Sequence, residues 1–126
     1  MLKQTVKYTD YNGVEKTEDF LFNLNKAEIA EMELTTPGGL AEHIKKSAEN
    51  NDNAALFALF KDLILRSYGI KSADGKRFIK SKELREEFSQ TEAYSELFIE
   101  LASDPKKAAA FVEGITPKDL PTAPKN

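Results

Sequence analysis

The sequence contains no cysteine and no tryptophan, and it has a single histidine, His43. Without cysteine the chain can form no disulfide, no thiolate nucleophile and none of the usual structural zinc sites. Nucleophilic catalysis with a histidine base needs a nucleophile and an orienting group beside it, and no such arrangement can be argued from one histidine. We therefore expect His43 to be a surface or half-buried structural residue.

Long apolar runs are also absent. None approaches the roughly 18 residues of a candidate membrane span, and the opening MLKQTVKY has no apolar core of the secretory kind. Charges of both signs are abundant and nearly balance, with a formal net charge of −3. A mildly acidic chain of this kind is not typical of proteins that bind nucleic acid or anionic membranes. We expect a cytoplasmic protein with no nucleic-acid and no membrane partner.

What the chain does have is enough apolar side chain for one core. Of its 126 residues 40% are apolar, including eight phenylalanines and four tyrosines. Two runs rich in Thr, Val, Tyr and Phe, Gln4 to Tyr8 and Val14 to Phe22, flank Asn12-Gly13. Asn-Gly is typical of a type I′ turn, so the pattern predicts an antiparallel β-hairpin. Its apolar face is predicted to consist of Val6, Tyr8, Val14, Phe20 and Phe22.

Capping residues followed by apolar residues at helical spacing predict six helices. The start signals are Asn25 with Glu28, Thr36 with Pro37, Asp52 or Asn53, Ser81, Thr91, and Asp104 with Pro105. The second helix is expected from Gly38 to Ala48, burying Leu40 and Ile44. The third, from Ala54 to Tyr68 with Gly69 as its end, is apolar on nearly all faces, which predicts a place at the centre of a bundle.

The fold class predicted from these elements is α+β, mostly α: an N-terminal antiparallel β-hairpin packed on a bundle of five to six helices. One globular domain is expected over residues 1–115, with the hairpin in 1–24 and the helical bundle in 25–115. Asp74-Gly75 between short apolar runs predicts a second, short hairpin near 70–79. Three prolines in the last eleven residues predict a flexible tail over 116–126.

The charge clusters do not predict catalysis. Glu83, Glu86 and Glu87 alternate with Lys82 and Arg85, as on a solvated helix face. Neither the asparagine-rich stretch 50–53 nor the glycine pair after Pro37 fits a calcium loop or a phosphate loop. No catalytic, cofactor-binding or metal-binding residue is therefore predicted.

A basic cluster surrounds Phe78 and is the best candidate for nucleic-acid binding, because the ring could stack on a base. The cluster comprises Lys76, Arg77, Lys80, Lys82 and Arg85. Three glutamates follow within a few residues and the whole chain is acidic, which favours a basic edge that meets an acidic protein partner.

Four blocks of the sequence, taken in order and spacing, resemble the small tail assembly chaperones of long-tailed bacteriophages or prophages of Gram-positive bacteria. They are KYTDYNG through EDFLFNL, EMELTTPGGL, SYGIKSADGKRFIKS, and EAYSELF to GITPKDL. The resemblance implies a small, mostly helical, non-enzymatic protein of the host cytoplasm that is absent from the mature virion. It implies binding and solubilising of the tape measure protein and help in recruiting tail tube subunits, in many relatives through a longer frameshifted form.

A chaperone for a long partner with apolar helical stripes must offer apolar grooves, repeated through self-association. Candidate contact residues are Met32, Leu34, Phe88 and Tyr94, on elements short or peripheral enough to stay partly exposed, together with Arg77 of the basic edge. The competing interpretation places the four apolar residues in the core. Two other functions stay open: a tail or connector subunit retained in the virion, and a small nucleic-acid-binding phage protein.

Overall fold

The computed structural model of the chain describes residues 1–35 and 38–117. These residues form a sheet and six helices, which confirms the α+β, mostly α, prediction. In chain order the elements are β1 (Leu2–Thr9), β2 (Glu15–Phe22), α1 (Lys26–Thr35), α2 (Leu40–Glu49), α3 (Asn53–Ser67), β3 (Tyr68–Lys71), β4 (Phe78–Ile79), α4 (Lys82–Ser89), α5 (Glu92–Ser103) and α6 (Pro105–Ile115).

The two predicted hairpins join into one antiparallel sheet with the strand order β1-β2-β3-β4. β1 and β2 pair along their whole length, from Leu2 opposite Phe22 to Thr9 opposite Glu15. β3 pairs with β4 on one side, and on the other side it pairs with β2 only at Leu21 and Phe22. The remainder of β2 therefore has a strand neighbour on one side alone, which leaves much of the first hairpin projecting from the sheet.

The turn of the first hairpin differs from the predicted type I′ turn. The Gly13 amide donates to the Asp10 carbonyl at 3.0 Å, and Gly13 has a left-handed φ of 79° whereas Tyr11 and Asn12 do not. This is a type I turn followed by a left-handed glycine. The Asp10 carboxylate accepts from the amides of Asn12 and Val14, both at 2.9 Å. These two hydrogen bonds lower the pKa of Asp10, and the bond from Val14 has the larger effect.

Val14 consequently lies in the loop and is 51% exposed, so its predicted place on the apolar face of the hairpin is wrong. Val6 and Phe22 are buried on that face, as predicted, with Tyr8 and Phe20 half-buried beside them. The second hairpin repeats the same turn chemistry: the Gly75 amide donates to the Ser72 carbonyl at 2.9 Å, and Gly75 is left-handed.

Five of the predicted helix starts are confirmed by side-chain caps. At α1 the box is reciprocal, because the Asn25 amide donates to Glu28 at 2.9 Å and the Glu28 amide donates to Asn25 at 2.8 Å. The other four capping side chains each accept from a backbone amide of the first helical turn. They are Asp52 at α3, Ser81 at α4, Thr91 at α5 and Asp104 at α6.

The predicted start of α2 is wrong. The helix begins at Leu40, two residues later than expected, and its N-cap is Gly39. Gly38 and Gly39 have left-handed φ angles of 77° and 87°, so neither can continue a right-handed helix. The predicted capping pair Thr36 and Pro37, and the end of the chain from residue 118, lie outside the described residues.

The prediction that Gly69 ends α3 as a C′ residue is wrong, and Gly69 does not have a left-handed φ. The helix ends at Ser67 and Tyr68 is already extended, with φ −68° and ψ 138°, so the chain passes directly from α3 into β3. A Cβ on Gly69 would lie 2.7 Å from Cε2 of Phe78 and 2.8 Å from the carbonyl oxygen of Ile79. The position therefore requires glycine because β4 approaches it closely, and not because of backbone twist.

The core lies where the end of β2 meets the helices. The Phe22 ring is fully buried and packs against Tyr68, Phe88 and Phe111, with ring centroids 5.8, 5.9 and 5.3 Å away. Leu63, Ile64, Leu97 and Ile115 are buried in the same cluster. Residues from a strand and from α3, α4, α5 and α6 thus share one apolar interior.

α3 does not form the centre of the bundle along its whole length. Its buried residues are Leu63, Ile64 and Ser67, all in the second half of the helix. In the first half Phe57 is 46% exposed and Phe60 is half-buried. The predicted central helix is therefore central at one end only, and the other end carries apolar side chains at the surface.

This division predicts different costs for two substitutions of the same kind. Phe22→Ala should lower the free energy of unfolding by about 3–5 kcal/mol, because it opens a cavity among three other rings. Phe57→Ala should cost about 1 kcal/mol, since its half-exposed ring makes one edge contact, with Phe98. Urea unfolding followed by circular dichroism measures both values, and equal losses would contradict this account of the core.

A second prediction concerns the close approach at Gly69. Gly69→Ala should lower the free energy of unfolding by about 1–3 kcal/mol, because strand β4 must shift to admit a methyl group. Gly114→Ala is the matched control: the three heavy atoms nearest to its methyl all belong to the flexible Leu2 side chain, at 2.9–3.3 Å, and not to backbone. Alanine also favours the helical backbone there. Thermal melts that show the larger loss at Gly114 would refute the argument.

Candidate protein-binding surfaces

Two of the five predicted contact residues lie in the core. Met32 is 5% exposed and Phe88 is 3% exposed. The Phe88 ring stacks on Tyr68, with centroids 4.3 Å apart and planes 9° apart, and also contacts Phe22. The exposure predicted for these two residues is therefore wrong. Short amphipathic helices bury their apolar stripe as fully as long ones do when several elements converge on it.

The other three predicted contact residues remain at least partly accessible. Leu34 near the end of α1 is 88% exposed, the largest exposed fraction among the described large apolar residues. Arg77 lies in the β3–β4 loop with an exposed side chain, and its backbone is bonded to Ser72. Tyr94 is half-buried and contacts Phe88 at 5.8 Å, and burial raises its pKa. Of the five, the structure brings Phe88 and Tyr94 together.

The basic cluster is partly structural. The Lys80 ammonium donates to the Asn23 carbonyl at 2.6 Å and to the Glu28 carboxylate at 2.7 Å. It thereby joins the end of β4 to the capping box of α1. It also lies 5.7 Å from the centroid of the Phe78 ring, which packs beside Gly69. Neither side chain is presented in the way that stacking on a base would need.

Sites for metal chemistry are not apparent in the part of the chain that the structure describes. Within residues 1–35 and 38–117 no three His, Cys, Asp or Glu side chains are grouped so as to hold a metal ion. His43 is half-buried on α2, as predicted. No described helix is long and apolar enough to cross a membrane.

A groove of about 660 Å³ lies between the pair α2–α3 and the pair α5–α6. Ten of its twelve lining residues are apolar, and the polar two are Asn53 and Glu113. The apolar ten are Ile44 and Ala48 of α2, Leu56 and Phe60 of α3, Leu101 and Ala102 of α5, and Pro105, Ala108, Ala109 and Val112 of α6. We call this concavity the helical groove.

The helical groove is open because small residues line it. Ala48, Ala102, Ala108 and Ala109 supply only a methyl group each, so the walls cannot meet across the space between the two helix pairs. Larger side chains, among them Phe60, also line the groove. Small residues on facing helices are also what allows a further helix to approach closely. The groove thus combines an apolar lining with room for an inserted side-chain stripe.

Sequence reasoning missed the helical groove, although a signal existed. The run Ala108-Ala109-Ala110 in α6 and the surplus apolar faces of α3 were visible in the sequence. From sequence alone an apolar helix face is assigned to the core, because most such faces are buried there. Only the three-dimensional packing shows that α2 covers α3 on one side and leaves the neighbouring face open.

The comparison with known protein families gives a match over the entire chain. The family model described as phage tail assembly chaperone matches residues 1–126. The protein belongs to the phage tail assembly chaperones. No curated protein and no solved structure matches the chain. Family membership confirms the resemblance to tail assembly chaperones inferred from the four sequence blocks and implies partners among the tail proteins.

For a tail assembly chaperone, the relevant features are surfaces that hold other polypeptides. The helical groove offers apolar area, and the exposed Leu34 and Ile99 add single apolar contacts elsewhere. The β-hairpin offers backbone groups along its edges, because few of them are paired outside the hairpin. These two kinds of surface differ chemically and suit different partners.

The structural role of Lys80 leads to a prediction. Lys80→Met should lower the free energy of unfolding by about 1–2 kcal/mol, because the Asn23 carbonyl and half-buried Glu28 lose a charged donor. Lys82→Met is the control: its side chain is 82% exposed and lies 3.9 Å from Glu86, so the loss should stay within about 0.5 kcal/mol. Chemical unfolding measures both. A Lys80 loss no larger than the control would assign the cluster to the surface alone.

Proposed function

We propose that this tail assembly chaperone binds the tape measure protein through the helical groove and keeps it soluble until tail tube subunits replace the chaperone. The observation that supports the proposal is the groove itself, which has a largely apolar lining and a volume of about 660 Å³ between two helix pairs. Membership in the chaperone family supplies the class of partner.

The chemistry of the helical groove favours a helical ligand. Its walls come from four α-helices, whose backbone donors and acceptors are bonded within each helix except at the ends. An extended peptide lying there would leave its own amides and carbonyls without partners on an apolar surface. A helix satisfies its backbone internally and can present an apolar stripe to the groove.

This is the form of ligand that an unassembled tape measure protein would offer. A long helical protein that has not yet been enclosed by the tail tube exposes apolar stripes, which aggregate in water. One groove covers only a short stretch of such a stripe, so several copies must bind along one partner. We therefore include self-association in the proposal, together with an assembly role in the host cytoplasm and absence from the mature virion.

In this proposal the chaperone is released because tube subunits compete with it for the tape measure protein. Tube subunits that polymerise around the tape measure protein bury the same stripe in a larger and more permanent contact, so the chaperone is displaced. A modest affinity at each groove is therefore useful, because many weak contacts hold a long partner together while each one can still open. Recruitment of tube subunits, by this chain or by a longer form of it, is part of the same proposal.

Two neighbouring alanines of α6 provide the test. Ala109 and Ala110 are both exposed, but of the two only Ala109 lines the helical groove. Ala109→Glu should weaken binding to the tape measure protein at least tenfold, about 1.4 kcal/mol or more, because a carboxylate would be buried against an apolar stripe. Ala110→Glu adds the same charge one residue away and should leave the affinity within about twofold.

The measurement is co-expression of the chaperone with the tape measure protein of the same phage, followed by the soluble yield and co-purification of the pair. Anisotropy with labelled peptides from the partner's helical stretches then gives the affinity for each variant. Equal binding by both variants would place the contact outside the groove. Recovery of the protein as a stoichiometric component of purified virions would contradict the chaperone role and favour a retained tail subunit.

A further inference from the structure

The first hairpin has two edges that lack a strand partner. β1 is the outermost strand of the sheet, so the outer edge of Leu2–Thr9 has no strand partner, while α5 and α6 pack against the same strand. β2 pairs with β3 only through Leu21 and Phe22, so the edge over residues 15–19 is open as well. Among the described residues, no backbone hydrogen bond outside the hairpin involves positions 15–19. An open edge is a template for another strand.

The alternation of hydrogen bonds along the hairpin identifies the groups at each open edge. The Asp10 amide donates to the Val14 carbonyl, and hydrogen-bonded pairs recur at every second residue of an antiparallel pair. The even-numbered residues of β1 therefore bond to β2. The backbones of Lys3, Thr5, Lys7 and Thr9 therefore point outward. On β2 the outward positions are Glu15, Thr17 and Asp19. They alternate in step with Leu21, which pairs with Gly69 of β3 on the same side of the strand.

The side chains at these outward positions carry opposite charges on the two edges. Every second residue of a strand lies on the same face, so Lys3 and Lys7 share the polar face of β1, four residues apart. Glu15 and Asp19 share the polar face of β2, also four residues apart. All of these outward residues are exposed. The β1 edge is basic and the free β2 edge is acidic at the same spacing.

We propose that the open edge of β1 pairs with the β2 edge of a second copy, antiparallel, with Thr5 opposite Thr17. This register places Lys3 opposite Asp19 of the second copy and Lys7 opposite Glu15. It joins three directly opposed pairs of outward residues, each of which can exchange two backbone hydrogen bonds. Opposite charges directly across a strand pair stabilise the pairing, and Thr–Thr pairs do so too.

Pairing of β1 with β1 of a second copy is less favourable. An antiparallel pair centred on Thr5 brings Lys3 opposite Lys7 at both ends, and like charges there are destabilising. The register centred on Val6 pairs each lysine with a threonine, which adds no opposite-charge contact. Charge complementarity therefore selects the β1-to-β2 arrangement over the two-fold arrangements.

The selected contact is head-to-tail, because each copy contributes a different edge to its two neighbours. Such a contact does not close as a two-fold dimer, and it continues into an open array unless the rotation between copies closes a ring. The inference deepens the self-association included in the proposed function, since an open array of copies matches a long partner. It does not involve the helical groove, so the two proposals can fail separately.

The test uses charge reversal and needs no tape measure protein. Sedimentation of the wild-type protein at concentrations on the order of 100 µM should show reversible, concentration-dependent association, as expected for a contact of a few residues. Lys3→Glu with Lys7→Glu, or Glu15→Lys with Asp19→Lys, should weaken that association at least tenfold. An equimolar mixture of the two double variants should recover it, because each then finds an edge of opposite charge.

The variant with all four reversals guards against loss of folding, since it restores opposite charges within the hairpin and between copies. It should associate like the wild type, but labelled wild-type and fourfold-reversed subunits should not co-assemble, as measured by energy transfer. Lys45→Glu with Lys46→Glu, an equal charge change on exposed positions of α2, is the control and should associate normally. A strictly monomeric wild type, or free mixing of the two forms, would overturn the proposal.

Discussion

The packing of Phe22 is the contact on which the other elements depend. Its ring is fully buried and packs against the rings of Tyr68, Phe88 and Phe111. Tyr68 is the first residue of β3, Phe88 lies near the end of α4, and Phe111 lies within α6. The next two residues continue the connection through the backbone, because the Asn23 amide donates to the Ser67 carbonyl at 2.7 Å and the Leu24 amide donates to the Ile115 carbonyl at 2.8 Å. One end of β2 therefore holds the sheet, the end of α3 and the end of α6 in a single arrangement.

Concentrating the core at this end leaves two surfaces available elsewhere. The buried residues of α3 all lie in its second half, whereas Leu56 and Phe60 of the first half line the helical groove. The far part of the hairpin extends beyond β3, so its strand edges stay open. A small tail assembly chaperone can therefore offer an apolar groove and two strand edges without giving up a packed interior.

The two surfaces call on different physical interactions and are suited to different roles. In the proposed binding, the helical groove would exclude water from an apolar stripe, an interaction that is indifferent to the detailed sequence of the partner. The proposed pairing of the hairpin edges would use backbone hydrogen bonds and opposite charges, which depend on register and on salt. Binding of a long, variable partner suits the first kind of contact, and ordered contact between identical copies suits the second.

The amino-acid sequence by itself determined the local structure. Asn25, Asp52, Ser81, Thr91 and Asp104 could be recognised as caps because a cap depends on side chains and amides within one helical turn. Both hairpins, the α+β class and the family were also predictable. The turn type was missed because Asp10, three residues before Gly13, holds the turn with its carboxylate, whereas the prediction considered only Asn12-Gly13.

Only the tertiary structure decided which apolar side chains are covered. Met32 and Phe88 are buried and Phe57 is half-exposed, although all three occupy apolar positions on predicted helices. Burial depends on which other elements converge on a face, and that convergence arises from contacts between residues distant in sequence. For the same reason the role of Gly69 beside β4, the opening of the helical groove and the joining of two hairpins into one sheet could not be predicted from local patterns.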